Sequence, residues 1–128
     1  MKNLLLSLLL LLSLTACSQT TEVEQTTVGQ LSKLVSQNND DIVILDVRTA
    51  TEVNDGHIAG SEHIDVLRTD EFTTSVSKMD KEKTYYVICR SGGRSSKAAG
   101  IMKDLGFTNV YNVQGGMTAW QAKQLPIE

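Results

Sequence analysis

The chain has 128 residues, of which 41% are apolar, and its 15 aspartates and glutamates outnumber its 12 lysines and arginines, giving a formal net charge of −3. This length fits one compact domain, since domains commonly contain about 100–150 residues, and we therefore expect a single functional site. The acidic balance, with lysines scattered among acidic residues, argues against a nucleic-acid partner.

The first sixteen residues have the features of an export signal. Lys2 provides a cationic start, and residues 4–14 are leucines interrupted only by Ser7 and Ser13. A membrane-spanning helix needs about 20 apolar residues, so a permanent span is the weaker interpretation of this shorter run. Leu-Thr-Ala-Cys at residues 14–17 resembles the bacterial lipobox, which predicts cleavage after residue 16 and lipidation of Cys17. An ordinary signal peptide that ends near a cysteine is the alternative.

Lipidation of Cys17 predicts an exported protein anchored to a membrane of the bacterial cell envelope, because two or three acyl chains hold a small domain there stably. Cys89 is then the one free thiol in an oxidising compartment, where structural cysteines usually come in pairs. An unpaired thiol retained there indicates a chemical role, and a buried structural cysteine is the alternative. One thiol and two separated histidines are too few ligands for a metal site, so we predict neither a metal nor a cofactor.

Residues 18–26 are polar and predict a flexible tether before a domain that spans residues 27–128. Apolar residues at helical spacing predict a first helix that is capped by Thr26 or Thr27 and ends near Gln37. The later elements, in chain order, are a buried strand at 42–47, a turn-rich stretch at 54–61, a weak helix at 70–76, a buried strand at 85–89, an amphipathic helix ending near Gly106, a strand at 109–113 and a helix at 117–123. Strands that alternate with helices predict an α/β fold around a parallel sheet.

The most informative segment is the loop that follows the strand ending at Cys89. Open parallel sheets bind ligands outside the carboxyl ends of their strands, which is where this cysteine lies. We expect the loop to wrap so that main-chain N–H groups and a helix N-terminus converge on the sulfur, lowering the thiol pKa below about 8.5. The predicted anion-binding loop consists of Arg90, Ser91, Gly92, Gly93, Arg94 and Ser95. The two arginines would add positive charge, the other residues mainly N–H groups, and the Ser95 side chain a helix cap.

Four segments in this order resemble the rhodanese sulfurtransferases, and in particular their single-domain members. They are LDVR at residues 45–48, DGHIAGS at 55–61, CRSGGRS at 89–95 and GGMTAW at 115–120. The resemblance covers about residues 27–125 and implies a three-layer sandwich with helices on both faces of the central parallel sheet. It also implies that Cys89 takes sulfane sulfur from a donor such as thiosulfate, polysulfide or persulfide. The cysteine would hold this sulfur as a persulfide and pass it to cyanide or a thiol.

The same resemblance suggests roles for residues around the catalytic cysteine. Arg94 is expected to orient the loop and bind anions. Asp46 and Arg48 are expected to form a structural pair, with Glu52 as a further partner of Arg48. His57 is expected to organise its turn through hydrogen bonds rather than to act as a general base. The glycine pair at residues 115–116 is expected to bring main chain near the active loop.

Other functions use related loops. Only four residues separate Cys89 from Arg94, whereas dual-specificity phosphatases of the same fold have five, and Ile88 stands where tyrosine phosphatases carry a histidine. This spacing and the lack of a general-acid aspartate soon after the loop argue against phosphatase or arsenate-reductase chemistry. A disulfide oxidoreductase would need a resolving thiol. A persulfide carrier that delivers sulfur to a partner protein uses the same loop and stays open, and the sequence does not identify that partner.

Overall fold

The computed structural model describes residues 22–128, so the predicted signal peptide, the lipidation site Cys17 and the first part of the predicted tether lie outside the described residues. Five parallel strands form one sheet in the order β1-β5-β4-β2-β3. The strands are β1 (Glu24–Thr27), β2 (Ile42–Asp46), β3 (Glu62–His63), β4 (Thr84–Ile88) and β5 (Asn109–Gln114). The helices are α1 (Val28–Val35), α2 (Ala50–Asn54), α3 (Thr69–Val76), α4 (Gly93–Asp104) and α5 (Gly116–Ala122).

Helices cover both faces of this sheet. Successive side chains of a strand point to opposite faces, and both faces of β4 are buried. Tyr85 and Val87 belong to one apolar cluster with α3 and α4, while Tyr86 and Ile88 belong to another with α1 and α5. The continuous apolar runs of the central strands therefore reflect burial on both sides. The predicted three-layer α/β sandwich is confirmed.

The N-terminal boundary of the domain differs from the prediction. Residues 24–26, which we expected in the tether, belong to β1, and β1 pairs with β5 from Glu24 opposite Tyr111 to Thr27 opposite Gln114. The Glu-Gln-Thr-Thr sequence of this strand has no apolar alternation, because main-chain hydrogen bonds hold it at the sheet edge. Thr27 then caps α1 in a capping box with Gln30, and α1 ends at Val35, two residues before the predicted end.

The sequence does not predict two short elements, α2 and β3. Helix α2 is little more than one turn and buries no residue, so it has no apolar periodicity to detect. Its start is fixed by a capping box in which Thr49 and Glu52 bond each other's main-chain N–H groups. Strand β3 has only two residues, both exposed.

Parallel strand direction brings the carboxyl ends of β2, β4 and β5 to one edge of the sheet. Asp46 at the end of β2 lies opposite Ile88 at the end of β4, and Cys89 follows directly. No helix within residues 22–128 is long and apolar enough to cross a membrane.

Candidate active site

Cys89 lies at the bottom of a loop of hydrogen-bond donors. Its side chain is 1% exposed, and its Sγ is 3.1 Å from the main-chain nitrogen of Gly92 and 3.2 Å from the hydroxyl oxygen of Ser95. Gly92 has φ +111°, a left-handed conformation that allows the chain to turn back over the sulfur. The predicted convergence of N–H groups on the cysteine is therefore present.

These donors oppose the effect of burial on the thiol. Burial raises the pKa of Cys89, but hydrogen bonds from the Ser95 hydroxyl and from the main-chain N–H groups of Ser95, Gly92 and Ser91 lower it further than burial raises it. The pKa of Cys89 consequently lies below that of a free cysteine, in the predicted direction. The same donors would stabilise the terminal anion of a persulfide.

The Ser95 side chain has a different role from the one predicted. The N-cap of α4 is Gly92, and no side chain caps this helix, so the expected Ser95 cap is wrong. The Ser95 hydroxyl instead contacts Cys89 Sγ and donates a 2.5 Å hydrogen bond to Oδ1 of Asn112, a buried residue of β5. Sequence reasoning missed Asn112, although an asparagine in an otherwise apolar strand next to the cysteine strand is a detectable signal.

Arg94 closes the loop by pairing with a carboxylate. Its Nη1 and Nη2 donate 2.7 Å hydrogen bonds to the two carboxylate oxygens of Glu52, which joins the first turn of α4 to α2. This geometry agrees with the expected loop-orienting role. The carboxylate offsets the positive charge that we expected Arg94 to bring to the sulfur. The hydrogen bond from Arg94 lowers the pKa of Glu52 to about 2, against the opposing effect of burial and with help from Thr49.

Asp46 and Arg48 form the predicted structural pair. Arg48 Nη2 lies 2.8 Å from Asp46 Oδ2 and also donates a 2.8 Å hydrogen bond to the carbonyl of Gly56. Both side chains are buried, and hydrogen bonds satisfy the two charges. The expected ion pair between Arg48 and Glu52 is wrong, because Arg48 contacts only the main-chain carbonyl of Glu52, whose carboxylate binds Arg94.

His57 contacts the C-terminal residue of the chain rather than the cysteine. Its Nδ1 lies 3.3 Å from the Val53 carbonyl, and its Nε2 lies 3.5 Å from a carboxylate oxygen of Glu128. The main chains of His57 and Glu128 exchange two hydrogen bonds of 2.9 Å. Among the described residues, none of its hydrogen bonds reaches Cys89, and those that it makes are with Val53 and Glu128.

The glycine pair at the start of α5, residues 115–116, approaches the active loop as predicted. The main-chain N–H of Met117 donates to the carbonyl of Cys89 (2.8 Å), and that of Thr118 donates to the carbonyl of Arg90 (3.0 Å). Gly116 has φ +53°, and a Cβ at this position would collide with the carbonyls of Cys89 and Arg90. Glycine is required here because two main chains approach closely.

A pocket of about 300 Å³ opens beside the loop. Arg90 is exposed and forms no ion pair with any residue in the range 22–128. The pocket is lined by Arg90 of the loop, by Met117, Thr118 and Gln121 of α5, and by Arg48, Glu52, Asp55 and Gly56. Within residues 22–128, no group of three or more histidine, cysteine or acidic side chains is placed to hold a metal ion.

The fold and the site together define an α/β domain that buries a cysteine in an anion-stabilising loop at the carboxyl end of a central strand. The family model described as the Rhodanese-like domain matches residues 27–123. The chain belongs to the rhodanese family.

Several relatives of this family have names that refer to sulfur. The protein YtwF of Bacillus subtilis, whose name refers to sulfur transfer, is 32% identical over 105 residues, which cover 82% of this chain and 97% of YtwF. Thiosulfate sulfurtransferase GlpE of Pseudomonas savastanoi is 36% identical over 80 residues, 62% of this chain and 73% of GlpE. The protein YrkF of B. subtilis, whose name refers to sulfur carriage, is 37% identical over 86 residues, 67% of this chain but only 45% of YrkF.

Solved structures agree on the fold. The rhodanese-like domain of an Anabaena protein superposes with a TM-score of 0.72 at 29% identity, covering 81% of this chain and 77% of that domain. The names of the relatives support sulfur transfer as the general activity.

Proposed function

We propose that this protein is a sulfurtransferase that moves sulfane sulfur from thiosulfate or a related donor to a thiol or cyanide through a persulfide on Cys89. The observation that carries the proposal is the position of Cys89 Sγ, which accepts from the Gly92 N–H at 3.1 Å and contacts the Ser95 hydroxyl at 3.2 Å. The N–H groups of this loop favour the anionic form of the sulfur, as a nucleophile and as a persulfide alike, whichever way the Ser95 hydroxyl points.

In the first half-reaction, the Cys89 thiolate attacks the outer sulfur of thiosulfate. A sulfur–sulfur bond forms to Cys89 as the original one breaks, and sulfite leaves with its electron pair. One thiolate and one thiosulfate dianion thus give one persulfide anion and one sulfite dianion. The exposed guanidinium of Arg90, beside the pocket, offers a binding site for the departing sulfonate oxygens.

In the second half-reaction, cyanide or a thiolate attacks the outer sulfur of the persulfide. The new bond gives thiocyanate or an acceptor persulfide, and the Cys89 thiolate leaves with the electron pair of the broken bond. Among residues 22–128 Cys89 is the one cysteine, so this domain has no second thiol that could accept the sulfur. The acceptor therefore comes from outside the domain.

A persulfide carrier that hands sulfur to a partner protein is the second candidate. Cys89 is 1% exposed, so a thiol of a partner protein would reach it only with movement of the loop, whereas cyanide is small. The observation that favours the carrier is the similarity to YrkF. A carrier would accept sulfur on Cys89 but turn over slowly with cyanide, whereas an enzyme would do both.

The test uses the full chain with Cys17→Ser, in which Cys89 is the only thiol. After incubation with thiosulfate, mass spectrometry should detect one added sulfur on the Cys89 peptide, and cyanide should then release thiocyanate. The same protein with Cys89→Ser is the control and should show neither. Failure to add sulfur from thiosulfate, polysulfide and a small persulfide would contradict sulfur transfer. Loading without thiocyanate release would favour the carrier.

We also propose that the protein is exported and held at the cell envelope by a lipid on Cys17. The support is the cationic start, the leucine run and the lipobox-like residues 14–17. In a bacterial host, radiolabelled palmitate should label the wild-type chain and not the Cys17→Ala variant. Label retained in that variant would contradict the proposal.

A further inference from the structure

A chain of four hydrogen bonds leads from the reactive sulfur across the sheet to β1. Ser95 contacts Cys89 Sγ at 3.2 Å and donates to Asn112 Oδ1 at 2.5 Å. Asn112 Nδ2 donates to Gln25 Oε1 at 2.8 Å, and Gln25 Nε2 donates to the carbonyl of Val23 at 3.2 Å. The inner members Cys89, Ser95 and Asn112 are buried, and Gln25 is exposed.

The direction of these bonds determines which form of the cysteine they fit. Ser95 has a single hydroxyl proton, which Asn112 Oδ1 accepts. In this direction Ser95 has only lone pairs to offer Cys89, so the contact is satisfied when the thiol itself donates. The observed direction therefore fits the neutral thiol. A thiolate or persulfide has no proton to donate and requires the Ser95 proton for itself.

Reversal of the direction of these hydrogen bonds would provide that proton. When the amide of Asn112 turns over, its Nδ2 donates to Ser95 Oγ. The Ser95 hydroxyl is then free to donate to the sulfur. Asn112 Oδ1 then accepts from Nε2 of Gln25, whose amide turns over as well. The one bond lost is the exposed contact between Gln25 and Val23, which water can replace at small cost. In either direction no buried polar atom is left without a partner.

We propose that Ser95, Asn112 and Gln25 form a reversible hydrogen-bond relay that serves both the neutral and the anionic form of Cys89. The proposal rests on the proposed function, because only a cysteine that alternates between these forms needs both directions. Asn112 and Gln25 are positioning residues, since they act on the sulfur through Ser95. A serine hydroxyl and two amides suit this role because each has both a donor and an acceptor.

The charges around the sulfur act separately from this relay. Arg94 interacts with Cys89 through its charge, but its guanidinium is paired with Glu52. Helix α5 contributes main-chain N–H groups to the loop rather than charges. The charged groups at this end of the sheet include Arg90 in the loop, Arg94 on α4, Glu52 on α2, Asp55 directly after α2, Asp46 and Arg48 at the end of β2, and Asp65 after β3. None of them lies on β1, so a substitution at Gln25 leaves them in place.

The test is to fix the relay in one direction from its exposed end. Gln25→Glu replaces an amide with a carboxylate that can only accept, so Asn112 Nδ2 stays turned toward β1 and the Ser95 hydroxyl keeps donating to Asn112 Oδ1. Gln25→Leu removes the end of the relay without fixing its direction. Gln114→Glu adds the same charge on an exposed residue of β5 outside the relay and is the matched control.

All variants are made in the full chain with Cys17→Ser, and the Cys89 thiolate is followed by its absorbance at 240 nm as a function of pH. We expect Gln25→Glu to lower the ratio of thiolate to thiol at pH 7 by about threefold to tenfold. Gln25→Leu and Gln114→Glu should change this ratio less than twofold. Equal effects of Gln25→Glu and Gln114→Glu, or no effect of Gln25→Glu in a protein with wild-type circular dichroism, would overturn the relay.

This titration does not depend on sulfur transfer, so the two proposals can fail separately. If the titrations shift as expected but Cys89 accepts no sulfur, the proposed function is wrong and the relay remains. If Cys89 accepts sulfur but Gln25→Glu titrates like the wild type, the relay is wrong and the proposed function remains.

Discussion

Arg94 on α4 donates two hydrogen bonds of 2.7 Å to the two carboxylate oxygens of Glu52 on α2, a residue 42 positions earlier in the chain. Both side chains are about one quarter exposed, with values of 25% and 28%. A two-point pair at this depth holds the planar guanidinium in one orientation, which a lysine cannot reproduce. The pair therefore fixes the start of α4, and with it the loop that surrounds Cys89.

We predict that the two residues are energetically coupled. Glu52→Ala and Arg94→Ala should each destabilise the fold by about 1–2 kcal/mol, and the double variant should lose about 1 kcal/mol less than the sum. Urea unfolding of the four proteins measures this coupling. Arg68 and Glu71 form an exposed pair and serve as the control, for which the coupling should be below about 0.5 kcal/mol. Additive effects of Glu52 and Arg94 would show that the pair does not fix the loop.

Acid should weaken the fold through the same carboxylate. The pKa of Glu52 is lowered from 4.5 to about 2 by Arg94, so its contribution is complete above about pH 4.5 and is lost as the pH falls toward 2. This contribution is about 1–3 kcal/mol at neutral pH. The difference in unfolding free energy between the wild type and Glu52→Gln should therefore be constant from pH 7 to 5 and shrink below pH 4.5. A difference that stays constant down to pH 3 would contradict the lowered pKa.

The reactive loop could be predicted from sequence because its features are local, whereas the residues that contact it could not. A buried strand that ends in Cys89 and runs through Gly92 into a helix specifies the loop within a few residues. Glu52 lies on a helix too short to show periodicity, and it first meets Arg94 when β2 and β4 pair in the sheet. Gln25 was missed because β1 is held at the sheet edge by main-chain bonds, which leave no pattern in its side chains.

Ser95→Ala should make the cysteine less acidic. Loss of the hydroxyl removes a hydrogen bond that lowers the pKa of Cys89, and it also removes the buried partner of the Asn112 amide. We expect the thiolate fraction at pH 7 to fall several-fold and the stability to fall by about 1–2 kcal/mol. Thiolate absorbance and urea unfolding measure the two effects. Ser96→Ala, one residue later on α4, is the control and should leave the thiolate titration unchanged. An unchanged titration in Ser95→Ala would show that the N–H groups alone set the acidity.

Gly116→Ala should damage the active loop. The new methyl group would collide with the carbonyls of Cys89 and Arg90, and the residue would have to keep φ +53° or shift. Either response moves the main chain that donates to the Cys89 carbonyl. We expect sulfur loading of Cys89 to fall at least about tenfold and stability to fall by about 2 kcal/mol. Gly100→Ala is the control, because this glycine lies inside α4 with nothing near its missing Cβ. That substitution should stabilise the protein by up to about 1 kcal/mol without loss of loading.

Arg90→Gln tests how an anionic donor is held beside the loop. Arg90 is exposed at the pocket and in no ion pair among residues 22–128, so its charge is available to a sulfonate, whereas the charge of Arg94 is already offset by Glu52. We expect the KM for thiosulfate to rise about threefold to tenfold while kcat changes less, because a charge that contacts the donor acts mainly on binding. Lys97→Gln removes the same charge from an exposed position on α4 and should leave KM within about twofold of the wild type, since screening by salt weakens distant surface charges. The effect of Arg90→Gln should also shrink as the salt concentration rises. Equal KM values for the two variants would mean that binding of the donor depends only on the net charge of the domain. Arg90 would then not contact the donor.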